Sequence, residues 1–521
     1  MQRNTSTAFF VACALLATIS TAHAATYWID SVNGKDTNNG TQPSTPWQTL
    51  GYATTQFAKG ILRSGDHIEL FDNSFWVYSN NTNNYLSITG ANNVLIQGYS
   101  PNSSRTTAPI IDSDFGEEAG IVLTSCSNMT VDNIQFDGDN GSLNANNNRF
   151  GLVIFGQTNA PSSNITIENC NFYNLLATTT STPAIGGAGI GIWIVPQANQ
   201  MDNVTGITIT GCQFQNIGGP AIQAAGGWGN GSSTLTALNV NNCLSTNCDD
   251  LLYVHNASNI IFTGNWITGS EGCWMENCSD MVCSYNNSQG ANDLTDGTGI
   301  HVDNNNQLIT IEDNFFENNS GGFVEILDNC HNICFRYNIS INDGGRVSGT
   351  YNSLFGQNNS QDGKELWIQS TCSDIYIYNN TVATSNTPRV VLGGIAHTGD
   401  YDSHSITGVK IQNNIFDLRS NWVESTESGL SLTAPYVSSN DYSASSYNSL
   451  TLIHDTAPIY GEPGFQNDFY IPTLSTLLNT GTQVGTIPGD TEGVQDGFGV
   501  PSEDYWDEPT DLQHPNIGGV Q

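Results

Sequence analysis

Four short phrases between Asp249 and Asn329 concentrate the side chains that could do chemistry: CDDLLYVHN, GCWMENCSD, DGTGIHVDNNN and GGFVEILDN. Each alternates apolar and polar residues as a short strand does, and each returns after a strand-turn-strand interval. Alternation sends Leu252, Val254, Cys273, Met275, Ile300, Val302, Val324 and Ile326 to one face. The other face then carries Tyr253 and His255, Trp274 and Glu276, His301 and Asp303, Glu325 and Leu327. Stacked, these strands would show solvent a patch of carboxylates, imidazoles and aromatics. Neighbouring parallel strands lie ~4.8 Å apart. Asp303 and Glu325 are 22 positions apart, so they become diagonal neighbours whose side chains can converge to ~5–5.5 Å. Glu276 precedes Asp303 in its column, His255 precedes Glu276, and His301 shares a column with Glu325. Carboxylates this crowded should raise at least one pKa, which a general acid needs at neutral pH. Trp274, Tyr253 and Trp193 add rings on which a sugar could stack, and Asp249 and Asp250 add hard oxygen donors at the start of the first phrase. Any single Asp or Glu of so acidic a chain is ordinarily solvated surface. The convergence of several with aromatics on one strand face is what points to a site.

Something must hold those strands in register, and the sequence supplies a recurring corner. A four-residue alternating strand ends in Cys or Asn at Cys170, Cys212, Cys243, Asn265, Asn286, Asn314, Asn338, Asn380 and Asn414. The interval shrinks to 22 and then 21 residues between Cys243, Asn265 and Asn286, the length of one bare coil of a β-solenoid; longer intervals are coils with loops inserted at a turn. Asn tolerates the left-handed backbone of such a bend, and its amide can bond the Asn one coil away, making a ladder along the axis. Cys170, Cys212 and Cys243 take the place of Asn on consecutive coils and belong to the same inner stack.

Before the repeat, a strand at Tyr27–Asp30 leads to a Gly/Asn-rich loop, and Pro46-Trp47 opens a short amphipathic helix over Thr49–Phe57. A helix there would cover the exposed end of the first coil. The chain therefore divides into a signal peptide (1–24), an N-terminal cap and first coil (25–85), a β-helix (86–424) and a tail rich in Pro, Gly, Asp and Ser (425–521) that folds back on the helix or covers its last coil. The signal reads as one Arg, a short apolar run and Ala22-His23-Ala24, so the protein is expected to be secreted, to the periplasm or the medium. No later segment reaches the ~18 apolar residues of a membrane span.

Twelve Lys plus Arg against 48 Asp plus Glu give a net charge of −36. Such a surface repels phosphate backbones and anionic headgroups, which argues against nucleic-acid and membrane partners. It also disfavours a polyuronate unless calcium bridges the two. Cys13 leaves with the signal, and the odd number of cysteines that remains argues against a fully paired disulfide framework. No Cys/His spacing suits zinc.

The corner column and the opening phrases resemble the right-handed parallel β-helix proteins over roughly Tyr27 to Phe416. The fold class implied is all-β: a single-stranded, pectate-lyase-like solenoid with an N-terminal cap helix and an irregular C-terminal tail. GIHVDNNNQLITIEDNFFENNSGGFVEI resembles the core motif of the β-helix β-xylosidases, glycoside hydrolase family 120. That resemblance implies Asp303 as nucleophile and Glu325 as acid/base. It covers about thirty residues, and His301 stands where the family has an aromatic. The reading is a secreted, monomeric glycoside hydrolase acting on a poly- or oligosaccharide with no required cofactor. Cys248-Asp249-Asp250 also resembles the paired aspartates of β-helix pectate lyases. With Glu276 and Asp303 these could bind calcium, so a calcium-dependent uronate lyase is the alternative. Lys364, Arg336, Arg346 and Arg389 are the nearest candidate bases for it. A non-catalytic glycan-binding β-helix or adhesin is the third reading, since fold alone does not separate them.

Overall fold

The computed structural model is a parallel β-helix built from three long sheets of 14, 12 and 14 strands. It describes residues 24–77, 85–101, 107–112, 119–138, 150–157, 160–176, 189–196, 203–225, 234–291, 297–327, 329–343, 364–368, 372–384, 389–392, 405–418 and short segments between 423 and 460. The expected signal peptide, and the tail from 461 onward, lie outside the described residues.

One coil shows the plan. The strand Glu271–Glu276 belongs to the 12-stranded sheet, Ser279–Ser284 to the first sheet, and Asn287–Gln289 to the third. The chain then rejoins the 12-stranded sheet at Thr298–Val302, paired in parallel with the strand it left. Each corner has the same two-residue grammar. A residue with positive φ turns the chain, and the next residue points inward. Gly264-Asn265, Gly269-Ser270 and Asn277-Cys278 are the three corners of this region.

The ladder expected from the sequence is present and inward. Asn265 Nδ2 donates to Asn286 Oδ1 at 2.9 Å, Asn286 to Asn314 at 3.0 Å, Asn314 to Asn338 at 3.0 Å and Asn338 to Asn380 at 3.0 Å. It runs on through Asn414 and Asn440 to Asp455. Each amide thus replaces, inside a dry core, the hydrogen bonds that the corner carbonyls and N–H groups would have made to water. Two expectations change. The left-handed residue is not the ladder Asn but the one before it: Asn242, Gly264, Tyr285, Asp313, Tyr337, Asn379 and Asn413 have positive φ. An inward side chain and a chain reversal cannot be served by one residue, so the corner uses two. The stack also continues past 424, where Tyr436–Ser438, Asp441–Tyr442 and Ile459–Tyr460 extend the first and third sheets.

Cys170, Cys212 and Cys243 sit in the inner stack as expected, buried, each thiol donating to a backbone carbonyl of the preceding coil (Val131, Ile167 and Ile209). All eleven described cysteines are free and buried. At the cap, the helix Leu50–Ala58 starts where the sequence places it, with the Thr49 hydroxyl accepting from Tyr52 N. It buries Leu50, Ala53 and Gln56, while Trp47 packs beneath, stacked on Tyr27 at 4.8 Å.

The strands of the 12-stranded sheet depart from plain alternation at one point. Leu251 and Leu252 are both in the core, and Gly272 occupies the Leu251 place one coil on. A Cβ on Gly272 would stand 2.3 Å from the Gly299 carbonyl oxygen, and one on Gly191 would stand 2.6 Å from Ala221 O. Glycine is needed there because two successive residues face the interior and backbone fills the space of the first.

The amide of Asn338 donates to Ile311 O at 2.9 Å and accepts from both N–H groups of Asn314. Replacing it with Ala leaves several buried polar groups without partners. We expect Asn338→Ala to lower unfolding free energy by about 3 kcal/mol in urea titrations. A loss below about 1 kcal/mol would mean that the ladder is ornamental.

Candidate active site

The strands Asp250–His255, Glu271–Glu276, Thr298–Val302 and Gly322–Ile326 lie side by side in the 12-stranded sheet. Their inward residues Leu252, Val254, Cys273, Met275, Ile300, Val302, Val324 and Ile326 are buried as expected. Outside, one column runs Trp193, Gln223, Tyr253, Trp274, His301, Glu325, each opposite the next in register. A second column runs His255, Glu276 and then Asp303, whose N–H donates to Met275 O at 2.8 Å.

The carboxyls meet around these columns. Tyr253 Oη donates to Glu276 Oε2 at 3.2 Å, and His255 Nε2 stands 3.7 Å from the same oxygen. Glu276 also shares a side-chain hydrogen bond with Asp303. Asp303 Oδ2 accepts from Trp274 Nε1 at 3.2 Å, and its Oδ1 accepts from Asn304 N at 2.8 Å. His301 Nε2 lies between the two ends of the cluster, 4.0 Å from Asp303 Oδ2 and 3.9 Å from Glu325 Oε2. By the triangle inequality those two oxygens are at most about 8 Å apart, a span that takes in the ~5–5.5 Å of retaining pairs and the lower part of the ~6.5–9.5 Å of inverting ones. The His301 ring is held flat against Trp274, with centroids 4.7 Å apart and planes 2° from parallel, and Tyr253 meets the same indole edge-on at 5.5 Å.

Burial and neighbours set the protonation of the cluster. Glu276 is pushed up to about 7, first by desolvation, then by the charge of Asp303 and the hydrogen bond with it; the Tyr253 hydroxyl opposes. Burial and then the charge of Glu276 push the Tyr253 phenol up as well, so it stays a donor. A carboxyl crowded by a second one ionises only at a cost, so Glu276 keeps its proton up to near neutrality.

Several expectations are revised. The patch is not open to solvent: Tyr253 is 1 % exposed, His301 2 %, Glu325 4 % and Asp303 8 %. Large side chains one coil step apart cover one another, and Glu276 and His255 are the more open members. Asp250 does not stand with Tyr253 and His255 in simple alternation. Because Leu251 and Leu252 both turn inward, Asp250 falls in an outer column at the start of the strand, opposite Glu271, and its charge reaches the Tyr253 phenol. Asp249 serves the start of the strand through its backbone, donating to Gly219 O and accepting from Glu271 N. Trp193 is in the right column but three coil steps before Trp274, stacked on Phe150 at 4.7 Å. Leu327 is buried at the end of the Asp303 column. Glu271 and Gln223 were not singled out from sequence; only the doubled inward pair and the coil register reveal them.

Arg336, one of the bases a lyase could have used, lies in the first sheet and is bound to Glu312 at 2.6 Å and Tyr378 at 3.0 Å. The side chains of Lys364 and Arg389, and all of Arg346, lie outside the described residues. Among the described residues no three Asp, Glu, His or Cys side chains converge as cation ligands would, so no step is routed through calcium. Also among them, no helix is long and apolar enough to cross a membrane.

A family model described as "Right handed beta helix region" matches residues 185–340, the coils that carry the cluster. No curated protein matches the chain. Among solved structures, the GH136 lacto-N-biosidase from Eubacterium ramulus is similar at 15% identity and a TM-score of 0.53, over 69% of this chain and 64% of that one. The chain thus spans less than two thirds of the biosidase's length. XylC, solved with xylose, is similar at 10% identity and a TM-score of 0.48, over 95% of this chain and 98% of that one. The PL6 family alginate lyase AlyGC is similar at 12% identity and a TM-score of 0.46, over 88% of this chain and 59% of that one. The fold is the right-handed parallel β-helix.

Glu276 binds its proton more tightly folded than unfolded. Its contribution to stability is therefore full below its ordinary value of 4.5 and lost as pH rises through about 7. Carboxyl infrared titration of wild type should show a group with a midpoint near pH 7 that is missing in Glu276→Gln and shifted down in Asp303→Asn. The fall in melting temperature from pH 4.5 to 7 should be smaller in Glu276→Gln than in wild type. An unchanged titration in Glu276→Gln would take the raised proton away from Glu276.

Proposed function

We propose that this protein is an exported glycoside hydrolase that cleaves a neutral poly- or oligosaccharide in the recess around Glu276, Asp303 and Glu325. The observation that carries the proposal is the carboxyl of Glu276, raised to about 7 and hydrogen-bonded to Asp303. A proton held at that strength is available at neutral pH for a leaving glycosidic oxygen. Resemblance to the β-xylosidases puts the acid on Glu325 and the nucleophile on Asp303; the electrostatics favour a different division. Glu276 and Asp303 touch, so they are too close to flank a glycosidic bond from two sides. In the proposed mechanism Glu276 donates, the charge of Asp303 keeps it protonated up to near neutrality, and the charge left on Glu276 is taken up by Tyr253 Oη and His255 Nε2. Glu325, across His301, is the carboxylate on the far side, attacking the anomeric carbon or activating water. Trp274 and His301 form the coplanar floor on which the sugar lies.

Charge argues for a neutral substrate. Asp250, Glu271, Glu276, Asp303 and Glu325 share one sheet face, and a polyuronate would add its own carboxylates to theirs. Lyase chemistry would also need a cation beside the uronate, and the described Arg336 is engaged elsewhere.

The test is reducing-sugar release from xylan, galactan, laminarin and alginate, with and without EDTA, alongside ultraviolet detection of unsaturated uronates. We expect release from a neutral glycan, insensitive to EDTA, with the rate falling above about pH 7 as Glu276 loses its proton. Glu276→Gln, Asp303→Asn and Glu325→Gln should each cost at least ~100-fold in kcat. Unsaturated product from alginate would establish a lyase instead, and glycan binding without product would establish a binding protein. Full activity in Glu276→Gln would end the assignment of the acid.

A further inference from the structure

The outer column that passes through the carboxyl cluster continues toward the N-terminus, and its next members are Gln223 and Trp193. Gln223 is 4 % exposed, and its Oε1 has no hydrogen-bond partner among the described residues. A buried carbonyl acceptor in that state is suited to a donor brought by a ligand. Trp193 is half-buried and rests on Phe150, within a separate apolar cluster with Val153 and Ile190 that lies outside the main core. A ring so backed cannot turn, which is what a stacking platform requires.

We propose that Trp193 and Gln223 form a second sugar-binding subsite, Trp193 stacking on a neutral pyranose ring and Gln223 Oε1 accepting one of its hydroxyl hydrogens. It rests on the reading of the Glu276 cluster as a glycan-cleaving site. A coil step of ~4.8 Å is close to the length that one pyranose adds to an extended chain, so Gln223 lies roughly 10–14 Å, or two to three sugars, from Glu276 and Asp303, and about one coil step further from Glu325. The bound chain then runs along the helix axis, one sugar per coil, and residues remote from the cleaved bond contribute to selection. An amide acceptor recognises a hydroxyl donor and discriminates against a carboxylate at the same place.

The experiment uses the full chain as wild type, Gln223→Met, Gln223→Glu and Trp193→Ala. Calorimetry with xylohexaose, laminarihexaose and an alginate hexamer measures binding, and oligosaccharides of two to six sugars from whichever polysaccharide is degraded measure kcat/KM. Wild type should bind a neutral hexasaccharide. Gln223→Met, which keeps the packing volume, should weaken that binding about tenfold, with a kcat/KM loss that grows from the shortest to the longest substrate; Gln223→Glu should retain more affinity than Gln223→Met because it keeps an acceptor. Trp193→Ala should weaken binding at least as much and reduce the ligand-induced change in tryptophan fluorescence to the part that Trp274 contributes. Equal losses on all chain lengths, or a lower melting temperature with unchanged hexasaccharide affinity, would make Gln223 a packing residue and overturn the subsite. Failure of wild type to bind any hexamer would overturn it too. Gln223-dependent binding without cleavage would leave the subsite standing and remove only the hydrolase.

Discussion

Every coil of this molecule depends on its neighbour being in register, and the hydrogen bonds between inward corner amides enforce that register. A parallel sheet alone tolerates slippage, because backbone pairing repeats with every two residues. An Asn that must find the Asn of the next coil admits one alignment. The ladder from Asn265 to Asp455 therefore holds the coils that carry the carboxyls and several beyond them. Because the coils are held, Tyr253, Trp274, His301 and Glu325 form a straight column rather than a scattered set. The rigidity of the site is borrowed from the corners.

Much of that architecture can be read from the chain. Alternation in CDDLLYVHN, GCWMENCSD and GIHVD is enough to separate inward from outward side chains, and the recurring Asn or Cys marks one corner of the three. The other two corners are harder to see because their inward residues vary: Cys248, Ser270, Ala291, Asn319 and Asp343 at one, Ala257, Cys278, Asn306 and Cys330 at the other. These share small size and inward direction, and little else. The doubled inward pair at Leu251-Leu252 is not visible as periodicity, so the outer column that starts with Asp250 and Glu271 cannot be read from the sequence. Burial was also illegible. Alternation says which way Glu325 points but not that it is buried beside His301.

The chemistry of the cluster follows from crowding more than from any single residue. Asp303 is anchored by an indole N–H and a backbone N–H. Glu276 receives one phenolic hydrogen bond and a nearby imidazole, and it loses more to burial than it gains from them. The flat stack of His301 on Trp274 keeps the imidazole from rotating toward either carboxylate, leaving it poised between both.

The eleven buried cysteines bear on how long the molecule lasts. Sealed in the interior, their thiols are out of reach of oxidants and of each other's coils except along the stack. Should the helix ever open in aerated medium, sulfurs far apart in the chain would cross-link at random and bar the way back. Survival would then be governed by the height of the barrier to opening rather than by the balance between folded and unfolded forms. A solenoid with so many interlocked coils, each needing its neighbours to part first, is well suited to making that barrier high.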